Sequence, residues 1–262
     1  MCGRFTLTRP VDEITRHFGT EVARHFSLGR SRWSLEGGLR LAAGDARSAR
    51  GISKLPPAVQ GAGGRARYNI APTQNIYAVR GNGRRTLSEL RWGLIPGWSR
   101  DGKMKSLLIN ARAETLTEKP AFRECVATRR CLIPADGFYE WTHAPGEGKK
   151  QPWHIGLKDS SLFAFAGLWD RWQGIESCTI ITTRANEAVA KLHDRMPVIV
   201  PSAGYDAWLE ADVREALALL QAYPAEEMRM YPVSGLVSGT KNDEPACQEP
   251  LRVSQAPPPL RF

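Results

Sequence analysis

The sequence has no apolar run of about 18 residues, which excludes a membrane-spanning helix. Its start, Met1-Cys2-Gly3-Arg4-Phe5-Thr6, lacks the apolar stretch of roughly 7–15 residues that marks a secretory signal, so none is expected. Cysteine is scarce and irregular: Cys2, Cys125, Cys131, Cys178 and Cys247 make an odd set, which argues against a disulfide framework and for a reducing cytoplasm. No paired Cys/His set follows Cys125 and Cys131, so no zinc site is expected. No G-x-x-x-x-G-K-[ST] phosphate loop exists, and Gly61, Gly63 and Gly64 precede no helix signal. There is no internal repeat. Acid is the minority charge, 27 Asp and Glu against 36 Lys and Arg, and the net +9 points toward a polyanionic partner without establishing one.

With 262 residues, 42% of them hydrophobic, the chain can bury a sizeable core. Its charge is uneven. Residues 22–67 hold nine Lys and Arg against Glu36 and Asp45, eight of the 24 glycines, and only Phe26, Trp33 and little else that is aromatic. Such a composition buries too little apolar surface to offset chain entropy, and reads as a flexible basic insertion. It is either a tethered arm that attracts phosphates or a solvated loop without a partner.

The remainder reads as α+β. Thr8 as a cap, Pro10, the shared face of Val11, Ile14 and Phe18, and Gly19 as a stop predict a helix over 8–19. Further helical patterns cover 119–128, 185–192, 205–209 and 213–222. Runs rich in β-formers cover 76–79, 87–92, 130–133, 137–141, 153–157, 162–168 and 178–182, separated by Gly, Pro, Asn and Asp. Strands do not alternate with helices, so an antiparallel, barrel-like sheet flanked by helices is expected rather than a doubly wound one. Trp92, Trp141 and Trp169 are expected in the core. One domain over 1–248 is expected to carry the insertion, with a frayed Pro-rich tail over 249–262.

Cys2 is the most informative residue. Loss of Met1 leaves it with a free α-amine, and a 1,2-aminothiol offers two nucleophiles near neutral pH. The thiolate can attack a carbonyl with the amine as base, or the amine can condense with an aldehyde and the thiol close a five-membered thiazolidine. A small buried hydrophobe behind a retained Met1 is the plain alternative. Glu140, between Tyr139 and Trp141, would have its pKa raised by an apolar setting, as proton shuttling near neutrality requires, or is a paired strand carboxylate. Alone, His193 reads as a helix-end histidine and Asn110 as a buried turn amide.

Five further segments place polar groups in apolar, turn-forming stretches. They are Tyr68-Asn69-Ile70-Ala71-Pro72-Thr73, Arg91-Trp92-Gly93-Leu94-Ile95-Pro96-Gly97-Trp98 and Ile109-Asn110-Ala111-Arg112-Ala113-Glu114-Thr115. Pro134-Ala135-Asp136-Gly137-Phe138-Tyr139-Glu140-Trp141 and Leu192-His193-Asp194-Arg195-Met196-Pro197 complete the set. With the Met1-Cys2-Gly3-Arg4-Phe5 start, the chain resembles the SOS-response-associated peptidase (SRAP) family over 1–20 and 67–245, the stretch 22–67 being longer than the family pattern. The resemblance implies an abasic-site-processing protein that crosslinks to single-stranded DNA through Cys2, shielding the lesion, with associated self-processing and lyase-type activity.

It further implies that His193 exchanges protons during sugar-ring opening, that Asn110 orients the amine or the lesion, and that Glu140 shuttles protons. No cofactor or metal is implied. A missing base has no edge to read, so contacts should be phosphates plus stacking. Arg4, Arg112 and Arg195 are the phosphate candidates, Trp98 and Pro72 the wedges against flanking bases, and Asn69 a bond to the strand. A monomer is expected, cytoplasmic and associated with the nucleoid when bound to damaged DNA. Two other classes stand beside this one. A glutamine-amidotransferase-type hydrolase also begins Met-Cys-Gly, but Asn82-Gly83 lies in a basic hairpin-turn pattern. A noncatalytic single-strand-binding module would be indifferent to Cys2→Ala.

Overall fold

The structure, a computed structural model, describes residues 2–22, 64–102, 106–143 and 150–252. The chain runs β1 (Phe5–Leu7), α1 (Val11–Phe18), β2 (Glu21–Val22), β3 (Arg67–Ile70), β4 (Asn75–Arg80), β5 (Thr86–Trp92), β6 (Asn110–Arg112) and α2 (Arg123–Thr128). It continues with β7 (Arg130–Ala135), β8 (Gly137–His143), β9 (Lys150–Leu157), β10 (Phe163–Trp172) and β11 (Ile175–Arg184). After these come β12 (Arg195–Pro197), β13 (Ile199–Val200), α3 (Tyr205–Glu210), α4 (Val213–Ala218) and β14 (Met228–Pro232).

Two sheets carry the fold. β11, β10, β7, β4 and β5 pair in that order, and β5 returns in parallel to β11, with Arg91 opposite Ser177 and Trp92 opposite Cys178. The ring is thus a closed five-stranded barrel, and closure leaves these strands no open edge. The second sheet is antiparallel in the order β14-β9-β8-β1-β3. The fold is α+β, as expected. β7 runs directly into β8 through Asp136, so one stretch of chain belongs to both sheets. At that junction a Cβ on Gly137 would lie 2.2 Å from Nε2 of His154 and 2.9 Å from Oγ1 of Thr6, so only glycine leaves room.

The first strand is short but firmly held. Phe5 pairs across to Ile70 on one side and Phe138 on the other. Its buried ring meets Trp92 edge-on at 5.3 Å and Phe165 at 5.8 Å, in the core under the barrel. Fixing Phe5 fixes the residues before it. Cys2 therefore reaches the site along a strand threaded between two others.

Several expectations change. The first helix begins at Val11 without a side-chain cap, because Thr8 is occupied elsewhere: its N–H and Oγ1 donate to Asp136 Oδ2 at 2.6 and 2.5 Å. Gly19 does end the helix, in the left-handed region at φ 58°. The helical pattern over 185–192 yields only a 3-10 turn, Val189–Lys191, α2 covers the second half of 119–128, and α4 stops at Ala218. Of the tryptophans, Trp92 and Trp208 are fully buried, whereas Trp141 and Trp169 are half-buried. Trp169 carries the Arg80 guanidinium 4.6 Å above its ring. Arg67, at the end of the basic stretch, begins β3 and pairs with Asp243, while 23–63 lie outside the described residues. Past residue 248, Val233 bridges to Pro250 and Leu251 N–H donates to Pro232 O at 3.0 Å.

Candidate active site

A cleft of about 660 Å³ opens where the N-terminal strand meets β8, lined by Arg4, Glu140, Trp141, Lys150, His193, Gly235 and Ser238. Cys2 is buried beside Glu140, its Sγ 3.7 Å from Arg4 O. Asn110, at the start of β6, donates from Nδ2 to Cys2 O at 2.9 Å. β6 is held in parallel register on β11, Asn110 opposite Ile180, so the amide that orients Cys2 is anchored to the barrel. Burial drives the Cys2 thiol far above its usual pKa, and the Glu140 charge adds to the effect.

Glu140 sits mid-strand in β8, 3% exposed, opposite Trp153. Burial raises its carboxyl above the ordinary range, and nearby positive charge, His193 included, opposes the rise. A carboxyl shifted this way keeps a proton to a higher pH than a solvated one and can return it nearby, as a general acid and base must. His193 is held on the reversal before β12. Its N–H donates to Val189 O at 3.0 Å, while Nδ1 accepts the Arg195 N–H at 2.9 Å and lies 2.7 Å from Asp194 Oδ1. Both ring contacts fall on Nδ1, and the ring lines the cleft.

Glu140 and His193 line the cleft, Cys2 lies buried beside Glu140 behind its wall, and Asn110 holds Cys2 through its carbonyl, so four separate segments meet at this corner of the fold. The expected DNA contacts divide. Arg4 lines the cleft, its guanidinium 6.0 Å from the Trp141 ring centroid, and Nη2 donates weakly to Ser238 O at 3.5 Å. Arg112 is exposed beside Asn110, Pro72 is half-buried, and Trp98 is 59% exposed with Nε1 3.3 Å from Pro120 O.

Two residues are placed otherwise. Arg195 is buried, its fork closed on both oxygens of Glu114 at 2.7 and 2.9 Å and its Nη2 also donating to Thr182 O at 2.6 Å. Its charge is met by Glu114 and little of its side chain reaches the surface, which makes it a poor phosphate contact in this arrangement. Asn69 is fully buried and spends its amide on three backbone carbonyls, so it has no surface for a strand. Sequence reasoning missed Lys150, Ser238 and the cleft-facing role of Trp141. Trp141 directly follows Glu140 in the quoted motif, which was a usable signal; Ser238 had none. Among the described residues no group of three or more His, Cys, Asp or Glu is gathered as for a metal, and no helix is long and apolar enough to cross a membrane.

Fold and site together define a chain whose second residue, Cys2, is held by the Asn110 amide beside a buried carboxyl that itself lies near a histidine. The chain belongs to the SRAP family, described as SOS response associated peptidase, whose model matches residues 1–240. Among curated proteins it is 48% identical over 187 residues to the abasic site processing protein YoqW of Bacillus subtilis, covering 68% of this chain and 83% of that one. It is 40% identical over 252 residues to the abasic site processing protein YoaM of the same species, covering 93% and 95%. The abasic site processing protein HMCES of Gallus gallus is 33% identical over 201 residues, covering 64% of this chain and 59% of its own. Crystal structures of a Bacteroides thetaiotaomicron protein (TM-score 0.71, 24% identity, 95% of this chain and all of that one) and a Bordetella bronchiseptica protein (TM-score 0.67, 23% identity, 89% and all) share the fold.

Proposed function

We propose that this protein processes abasic sites in single-stranded DNA by forming a covalent link through Cys2 after loss of Met1. The observation that carries the reading is a cleft lined by Glu140 and His193, with Cys2 buried directly beside Glu140 and held by Asn110. The names of the curated relatives support it.

The ring-opened sugar exposes an aldehyde at C1′. The free Cys2 amine attacks C1′, and the resulting carbinolamine loses its hydroxyl as water, with the Glu140 carboxyl as proton donor, to leave an imine. The Cys2 thiol then adds across the C=N bond. Sulfur bonds to C1′, the thiol proton passes by way of Glu140 or His193 to nitrogen, and a thiazolidine closes. Burial holds the thiol protonated, so the amine acts first. The imine nitrogen formed from that amine lies on the same residue, and its protonated form favours ionisation of the adjacent thiol and activates C1′ for the second step. A base-free nucleotide fits a cleft whose rim holds Arg4 and Lys150 for phosphate and Trp141 for stacking. Elimination from the imine accounts for a slow lyase activity, and loss of Met1 for self-processing.

The test is reaction of the purified protein with a single-stranded oligonucleotide carrying one abasic site, resolved under denaturing conditions. A heat-stable adduct is expected with damaged DNA only and is expected to vanish in Cys2→Ser, because the oxygen analogue closes a less stable ring. Undiminished adduct in Cys2→Ser would refute the mechanism.

A further inference from the structure

One wall of the cleft, Gly235 and Ser238, belongs to a stretch after β14 that pairs with no sheet strand. Peptide groups there need partners other than a ladder. Asn69 supplies them from beneath: its Nδ2 lies 3.1 Å from Val237 O, 3.0 Å from Gly239 O and 2.7 Å from Asn242 O, so two amide hydrogens are shared among three carbonyls. Asn242 Nδ2 donates back to Leu236 O at 2.7 Å. The Asp243 carboxylate closes the clamp onto β3, accepting the N–H of Tyr68 at 2.6 Å, that of Asn69 at 3.0 Å and Arg67 Nε at 2.5 Å, with Arg65 Nη2 at 3.4 Å.

The opposite side of the same stretch faces the cleft. Ser238 O takes the Arg4 donor, and Ser238 Oγ takes Trp141 Nε1 at 3.3 Å. We infer that Asn69 and Asp243 are positioning residues that set Arg4 and Trp141 through Ser238, and so govern affinity for the DNA strand rather than the chemical step. Asn110 on β6, Glu140 on β8 and His193 ahead of β12 have separate supports, and Cys2, whose strand β1 borders β3, is also held by β8 and by the Asn110 amide. Loss of the clamp therefore loosens the phosphate and stacking contacts and leaves those groups in place. The inference rests on the DNA-capture reading above.

The experiment measures single-turnover crosslinking rate against the concentration of an abasic-site oligonucleotide. Asp243→Asn keeps the size of the side chain but removes its charge opposite Arg67 and replaces one acceptor with a donor. The half-saturating concentration is expected to rise about tenfold, the equivalent of one lost charge-assisted hydrogen bond, with the maximal rate within about twofold. Ser238→Ala removes only the Trp141 acceptor and is expected to raise the same concentration about two- to threefold. A lower maximal rate at unchanged half-saturation would overturn the inference, as would no change in either variant. If Asp243→Asn fails to fold, Ser238→Ala decides alone, and unchanged half-saturation there counts against it. Wild-type protein that forms no adduct sinks the functional reading instead, and noncovalent binding of the same oligonucleotide then reads the clamp by the same shift.

Discussion

Burial acts in the same direction on the Cys2 thiol and the Glu140 carboxyl, raising the pKa of each. It holds a proton on the Cys2 thiol and keeps one available on Glu140, and both effects follow from disfavouring the charged form. The proposed order of steps uses both. Glu140→Gln keeps the shape but cannot exchange a proton, so crosslinking at neutral pH is expected to slow by about 10²-fold, with noncovalent DNA binding within about twofold. The pH profile checks the sign. A raised carboxyl pKa means the acid form persists into higher pH and is lost as pH rises through it, while the attacking amine is gained as pH rises. The wild-type rate should therefore be bell-shaped, and Glu140→Gln should lose the high-pH fall. A variant that retains that fall would assign it to another group. What the sequence offered most plainly was a cysteine at position 2, a residue type whose chemistry after Met1 loss would be unusual anywhere. Asn69 and Arg195 misled because an amide or a guanidinium looks alike whether it meets DNA or a buried carbonyl. Only the fold shows Glu114 closing the Arg195 fork.

At the level of elements, the seven longer strands among the described residues were readable from runs of β-branched and aromatic residues, as in Ile175–Arg184. The other seven, of two to five residues, were not. β1 is three residues, and what makes it a strand is the pairing of Phe5 with both β3 and β8. β6 is Asn-Ala-Arg, with no strand signal of its own. Tertiary pairing, not local propensity, decides such segments. The junction at Gly137 gives an element-scale prediction: Gly137→Ala drives a methyl into the His154 ring and should cost about 1–3 kcal/mol, read as a lower Tm. His154 itself is fully buried between the rings of Tyr139 and Tyr231, and burial lowers its pKa to about 3. Its folded pKa lies below the unfolded one, so the unfolded chain binds the extra proton first. Stability should fall as pH drops from about 6.5 toward 3, by several kcal/mol in all, and His154→Gln should flatten that part of the curve in denaturant titrations. An unchanged slope would show that the acid sensitivity lies elsewhere.

Across the whole molecule the net charge of +9 acts mainly through position. Arg4 and Lys150 line the cleft, and Arg112 lies exposed next to Asn110. Each phosphate neutralised on a single strand contributes about 0.7 to the slope of log affinity against log salt. Lys150→Gln should therefore lower that slope by about 0.7 without altering the maximal crosslinking rate, while an unchanged slope would remove Lys150 from the phosphate contacts. The central claim is covalent capture of an aldehyde by the amino-terminal cysteine, and intact-mass analysis tests it most directly. The protein is weighed alone and after mixing with a single-stranded oligonucleotide carrying one abasic site. The account predicts a chain lacking Met1 that gains the oligonucleotide mass less one water, survives heating, and gains nothing from undamaged DNA. A chain active on abasic sites that retains Met1, or a mature Cys2 chain that gains no mass, would contradict it.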